Sequence, residues 1–359
     1  VGRGGGESRR DETALSGGLD AWGAARWGRH SWRVVELSRP QAGWSNETLI
    51  LTVSGGATDG GEQRLVVRLP PRHPVFPDHD PRTEGAVLEA VAAGPVPVPR
   101  VVAVEGDEQW LGVPFLVMSF EPGRPGPEAP AVDPWLGAAS SDDQRHLHEA
   151  FVDVLAGLHR VEWRGGRLDG VLRGGDGTDG LLAEVEWWAD YAEWATDGSP
   201  PTGLAQALAW CRESVPDPGP AALCWGDARL GNVLVGEDFG ITSLLDWEGA
   251  WLGPAESDLA WYLALEAVVE RLTRRSVPGF LTRSELVARY ERGLGRPVRD
   301  LPWHEVFALA RSVAITERLA RLAREGRSGY RGLSGPDNPV LEDLARLLDE
   351  AVGTGGLED

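Results

Sequence analysis

The chain has 359 residues, 42% of them hydrophobic and 25% charged, which suits a globular protein with a sizeable buried core. Its 55 acidic against 35 basic residues give a formal net charge of −20, which argues against nucleic acid as a partner, because phosphate backbones call for a basic surface. No apolar run approaches the roughly 18 residues of a membrane span, and the two cysteines lack C-x-x-C spacing; no membrane partner and a reducing, cytoplasmic setting are therefore expected.

Residues 1–18, opening on a glycine-rich run, read as a disordered lead-in. Alternation then predicts strands over 31–37, 48–53 and 64–69, joined by the loop 41–47 and a Gly/Asp-rich turn over 54–62. A proline-rich loop over 70–81 leads to a predicted helix over 82–93 and further strands over 100–105 and 114–120. The stretch 121–135 is dense in proline and glycine and marks the best domain boundary. Beyond it helical periodicity dominates, with helices expected over 141–161, 180–195, 203–214, 257–275, 283–293 and 303–324. A short β-rich island, 222–247, interrupts them. The expected division is a small domain over 19–120, a linker over 121–135, a helical domain over 136–350 and a tail over 351–359.

The sequence contains no lysine, so chemistry that needs a lysine amine is excluded or must use arginine. The informative segment is Leu223-Cys-Trp-Gly-Asp-Ala-Arg-Leu-Gly-Asn-Val, followed by Leu244-Leu-Asp-Trp-Glu. Asp227 and Asn232 stand five apart between short apolar runs, and Asp246 ends the next one. Phosphoryl transfer needs an acceptor for a hydroxyl proton, oxygen ligands for Mg²⁺, and positive charge on the moving group. Two Asp and one Asn on rigid elements offer the first two, and Arg229 offers the third.

This spacing is similar to the kinase catalytic loop H-R-D-x-x-x-x-N with its later metal-binding Asp. The wording Trp225-Gly-Asp-Ala-Arg-Leu-Gly-Asn with Asp246-Trp-Glu resembles the phosphotransferase-enzyme (aminoglycoside phosphotransferase) family, and within it the branch of kinase domains fused to acyl-CoA dehydrogenases. The resemblance implies an α+β, bilobal protein-kinase-like fold. Its N-lobe would be a small antiparallel sheet with one helix, and its C-lobe larger and mainly helical. The resemblance also implies Asp227 as base, Arg229 near the γ-phosphate, and Asn232 and Asp246 as Mg²⁺ ligands. Trp225 departs from the family's usual His; it brings an N–H donor and a larger apolar body.

The small domain extends the likeness. Ser45 and Asn46, in the loop between the first two strands, would lie over the nucleotide phosphates. Arg68 takes the place of the third-strand lysine of kinases, with Glu84 on the following helix as its partner; a solvent-facing ion pair is the plainer alternative. The backbone of Ser119, Phe120 and Glu121 would meet the adenine edge. The implied cofactors are ATP or GTP and Mg²⁺, and the implied partner is a small-molecule hydroxyl substrate. Along 184–194 acids and tryptophans either hold a cationic substrate or pack into the domain; the branch resemblance points instead to hydroxyacyl thioesters. A catalytically weak nucleotide-binding protein is the alternative function. A protein kinase is disfavoured, since nothing between Asp246 and Asp258 resembles a long activation segment. Nothing in the sequence sets the oligomeric state.

Overall fold

The computed structural model describes residues 10–28, 32–40, 47–55, 61–78, 80–166, 168, 170–328, 330, 332 and 334–355. They group into two compact units. One holds the described residues up to Glu89, with Pro99–Glu121 and a short run from Leu322; the other holds Ala90–Val98, Pro122–Arg321 and the C-terminal residues.

The first unit begins with α1 (Glu12–Trp27), started by the Asp11 carboxylate, which accepts from Ala14 N–H at 2.9 Å. The expected lead-in is therefore helical from Glu12 onward. Leu15, Leu19 and Trp22 recur at helical spacing and bury one face, a pattern hidden in the sequence by four glycines and alanines on the other face. They pack on a five-stranded antiparallel sheet of β1 (Trp32–Ser38), β2 (Glu47–Gly55), β3 (Glu62–Leu69), β4 (Val101–Glu105) and β5 (Phe115–Ser119), in the order β1-β2-β3-β5-β4. Leu49, Leu51 and Val53 of β2 and Leu65, Val67 and Leu69 of β3 alternate inward, as period two demands. Gly23 lies under the Trp32 ring, where a Cβ would come within 2.2 Å. With α1 present, the sheet carries two helices rather than the single expected one, α2 (Pro81–Val91), whose Gly85 closes on Val104.

Glu47 opens β2 between two guanidinium groups, those of Arg10 and Arg39. Burial would raise its carboxyl, but the hydrogen bonds and charges of the two arginines outweigh that and hold it below the usual carboxylate range.

The second unit contains β6 (Arg124–Pro125), α3 (Pro134–Ala138), α4 (Ser141–Leu158), α5 (Gly177–Thr196) and α6 (Thr202–Glu213). A β-island follows, of β7 (Ala222–Cys224), β8 (Val233–Val235), β9 (Ile241–Leu244) and β10 (Trp251–Gly253). Helices α7 (Glu256–Thr273), α8 (Arg283–Leu294), α9 (Leu301–Arg324) and α10 (Val340–Gly355) complete it. The tail expected over 351–359 is helical as far as Gly355. Strands β7 and β10 form one ribbon, and β6, β8 and β9 another, so the proline-rich stretch contributes a strand to the island. Every residue from Trp303 to Ala314 is buried, which makes α9 the central helix of the unit. Among the described residues no helix is long and apolar enough to cross a membrane.

Candidate active site

The loop between β7 and β8 carries the sequence-predicted constellation. Gly226 opens it with φ of +88°, and a Cβ there would sit 2.0 Å from the Gly249 carbonyl oxygen, so only glycine fits. The two N–H groups at this turn, of Trp225 (2.6 Å) and Gly226 (2.9 Å), donate one each to the oxygens of Asp258, which is fully buried on α7. His159 Nε2 meets the same carboxylate at 3.0 Å, and its Nδ1 meets Tyr290 at 2.6 Å. This histidine is thus bonded at both nitrogens. Cys224 lies beside it, buried, with its thiol pushed well above the ordinary value by burial and by the Asp258 charge.

Trp225, where the resemblance leads one to expect a histidine, is a donor: its indole N–H reaches the Leu245 carbonyl at 2.8 Å, one residue before Asp246. Asp246 has φ of +62°, a left-handed conformation that costs a non-glycine residue about 1–3 kcal/mol, and Asp is among the residues that tolerate it best.

Asp227 is half-buried. Its Oδ1 accepts from Trp261 Nε1 at 2.9 Å, its Oδ2 from Asn232 Nδ2 at 2.7 Å, and both oxygens from Arg229 Nε at 3.2 and 3.0 Å. Burial raises the carboxyl, yet the Arg229 charge and these hydrogen bonds prevail, so its pKa lies below the ordinary Asp value and it stays ionised. Asn232 also donates to the Asp227 carbonyl at 3.0 Å, which turns its amide oxygen away from that carboxylate. Leu245 N–H donates to the Asn232 carbonyl at 2.8 Å, so Asp246 follows a residue tied directly to the loop. An amide oxygen and a carboxylate are hard oxygen donors of the kind that Mg²⁺ takes.

Arg229 is itself shared. Its Nη1 donates to Glu128, from the segment after β6, while its Nε holds Asp227. Gly231 sits beneath this pair, where a Cβ would come within 2.8 Å of both partners.

In the sheet unit, Arg68 on β3 donates from Nη1 to Glu84 Oε1 at 2.7 Å. Both side chains are buried (8% and 4% exposed), which rules out the solvent-facing alternative. Ser45 and Asn46 lie outside the described residues. At the end of β5, Ser119 N–H donates to Arg100 O (2.9 Å) and Phe120 N–H to Arg64 O (3.3 Å). Arg64 also stacks on the Phe120 ring at 3.6 Å. Of the three N–H groups in the backbone stretch expected to meet adenine, only that of Glu121 has no acceptor among the described residues.

The aromatic and acidic run on α5 is not an open cation wall. Arg173 lies 3.7 Å over Trp187 and Arg318 4.1 Å over Trp194; Glu184 is buried and accepts from Arg173 and from Trp188 Nε1. The cations on these rings are the chain's own, and the packing alternative holds. Sequence reasoning missed Trp261, Arg311 and Glu128. For Trp261 the Asp258-x-x-Trp261 spacing was a usable signal, since residues three apart share a helix face. For Arg311 the signal was one charge in the run Val306–Ala314, whose other residues are apolar apart from Ser312. Glu128 has no local signal.

A sheet unit with a buried Arg–Glu pair and a helical unit with an Asp-x-x-x-x-Asn loop and a following Asp define a protein-kinase-like α+β fold. The chain belongs to the phosphotransferase enzyme family, whose model matches residues 36–307. It is 26% identical over 306 residues to mouse (Mus musculus) acyl-CoA dehydrogenase family member 10, covering 81% of this chain and 27% of that protein, so it spans about a quarter of that relative's length. It shares its fold with a candidate aminoglycoside phosphotransferase of Ralstonia eutropha (TM-score 0.67, 20% identity, 96% of each chain). A thermostable mutant of aminoglycoside phosphotransferase APH(4)-Ia, in a ternary complex with AMP-PNP and hygromycin B, also shares it (TM-score 0.56, 13% identity, 93% of this chain and 99% of that one).

Proposed function

We propose that the protein is a small-molecule O-phosphotransferase that moves the γ-phosphate of Mg-ATP, or of GTP, to a substrate hydroxyl. The observation that supports this reading is the hydrogen bonding of Asn232 to Asp227 and of Leu245 N–H to the Asn232 carbonyl, which ties the residue before Asp246 to the loop that carries Asp227. The AMP-PNP complex of the structural neighbour supports an adenine nucleotide as donor.

In this reading Asp227 accepts the hydroxyl's hydrogen bond and orients its oxygen for in-line attack. Its depressed pKa makes it a weak base, so the proton passes late, as a loose transition state permits. Arg229 meets the developing charge on the phosphoryl oxygens. Asn232 and Asp246 would hold Mg²⁺, which neutralises charge on the phosphates when bound. Arg68, fixed by Glu84, is the guanidinium substitute for a phosphate-holding lysine, and Glu121 N–H is the donor offered to adenine.

A second reading, nucleotide binding without transfer, draws on one observation: Arg229 covers both oxygens of Asp227. Melting temperature with and without Mg-ATP tests the site. Saturation at about 100 times the dissociation constant adds roughly 2.7 kcal/mol, and Asp246→Ala should abolish the Mg²⁺-dependent part. Asp227→Asn should keep that shift and lose transfer to hydroxyl acceptors. A wild type stabilised by Mg-ATP yet inert towards every acceptor, water included, would favour the second reading; no shift at all would defeat both.

A further inference from the structure

The geometry points to Trp261 and Arg311 as positioning residues that together hold Asp227, the first through its side chain and the second through the backbone that delivers it. The inference rests on the reading of Asp227 as the hydroxyl acceptor, and it adds two residues that lie outside the Asp/Asn constellation.

Asp258 and Trp261 stand three apart on α7 and so share a face. That face meets the catalytic loop twice: Asp258 takes the N–H groups of residues 225 and 226, and Trp261 donates to Asp227 Oδ1 at 2.9 Å. An indole nitrogen only donates, so this bond exists only while that oxygen is an acceptor. Asn232 Nδ2 occupies the other oxygen. Trp261 and Asn232 thus hold one oxygen each, beside Arg229 Nε, which meets both, and together they fix the plane of the carboxylate.

Arg311 stands behind this arrangement, 2% exposed, in the centre of α9. It has no side-chain carboxylate within hydrogen-bonding distance among the described residues. Its Nη2 donates to the Gly226 carbonyl at 2.6 Å, and its guanidinium lies 4.7 Å from the Trp261 ring centroid and 5.0 Å from that of Trp188. One side chain thus grips the peptide that leads into Asp227 and the ring that holds Asp227's side chain. A cation on an indole face draws electron density from the ring, which strengthens its N–H as a donor. Burying a guanidinium is costly, and plain packing would be served as well or better by an apolar residue. A methionine of similar length separates the two roles.

The experiment uses the full chain with Mg-ATP and water as acceptor, and ¹⁵N-tryptophan labelling. Trp261→Phe is expected to lower kcat for ATP hydrolysis by roughly 10- to 100-fold, with the nucleotide dissociation constant within about twofold of wild type. Trp261→His, which keeps a ring N–H, should recover part of the loss. Arg311→Met should lower kcat in the same direction while leaving the fold intact. Unchanged kcat in a folded Trp261→Phe protein, or equal loss in the Phe and His variants, overturns the proposal. Should Trp261→Phe not fold, the indole N–H resonances of the wild type decide. One of them must move in Asp227→Asn, and that same signal must move in Arg311→Met; no such signal overturns the proposal. A wild type without any Mg-ATP turnover would sink the phosphotransfer reading instead, and the resonance test would still decide the contact.

Discussion

Replacing Asp258 tests how the catalytic loop is held. Its carboxylate is fully buried and accepts three donors, Trp225 N–H at 2.6 Å, Gly226 N–H at 2.9 Å and His159 Nε2 at 3.0 Å. In Asp258→Ala all three lose their acceptor. A buried donor left unmade costs about 1–3 kcal/mol, and breaking a buried charged network costs about 3–5 kcal/mol. The Ala variant should therefore lose about 3–5 kcal/mol. In Asp258→Asn the amide oxygen keeps one backbone N–H while the NH₂ faces another donor, so a loss of about 2–3 kcal/mol is expected. Urea unfolding followed by circular dichroism reads the difference directly. A loss below about 1 kcal/mol for Ala, or an Asn variant less stable than the Ala one, would refute the account of Asp258 as the anchor of this turn.

Two further outcomes are expected. Arg68→Met removes the 2.7 Å donor to the buried Glu84 carboxylate and should cost about 3–5 kcal/mol, whereas Arg68→Met with Glu84→Leu should recover most of it; denaturant midpoints of the two variants check this. Glu266 is pushed up to about 7 by burial and by Glu270 one turn along α7. Its folded form therefore holds a proton more tightly than the unfolded chain does, and the stability this adds is present below about pH 4.5 and lost as pH rises to about 7. Glu266→Gln should flatten that part of the stability–pH curve; an unchanged slope between these values would count against the shift.

Most of the regular structure was legible because the patterns are local. The alternation of β2 and β3 and the periodicity of α4, α8 and α9 follow from side-chain spacing alone. The spacing of Asp227, Asn232 and Asp246 is local in the same way, since it reflects one loop and the residues after one strand. Helix α1 escaped notice because its glycines and alanines dilute the apolar face, and only the sheet reveals that Leu15, Leu19 and Trp22 form one. What faces the tryptophans of α5 could not be read locally either, since Arg173 and Arg318 come from distant points in the sequence. Whether Arg68 and Glu84 are buried is likewise decided by the packing around them. The grip of α7 and α9 on Asp227 depends on contacts spanning 34 and 85 residues, which no window of sequence displays.

The two buried thiols have a practical consequence. Cys211 and Cys224 are both enclosed, and burial raises both above the range in which a thiol becomes a reactive thiolate. The sequence, moreover, holds no lysine. Maleimides and amine-directed esters thus find no reactive side chain of their usual kind on the folded protein. A single cysteine placed on an exposed helix face would then be the sole thiol presented to a probe, with no native residue replaced to make it so.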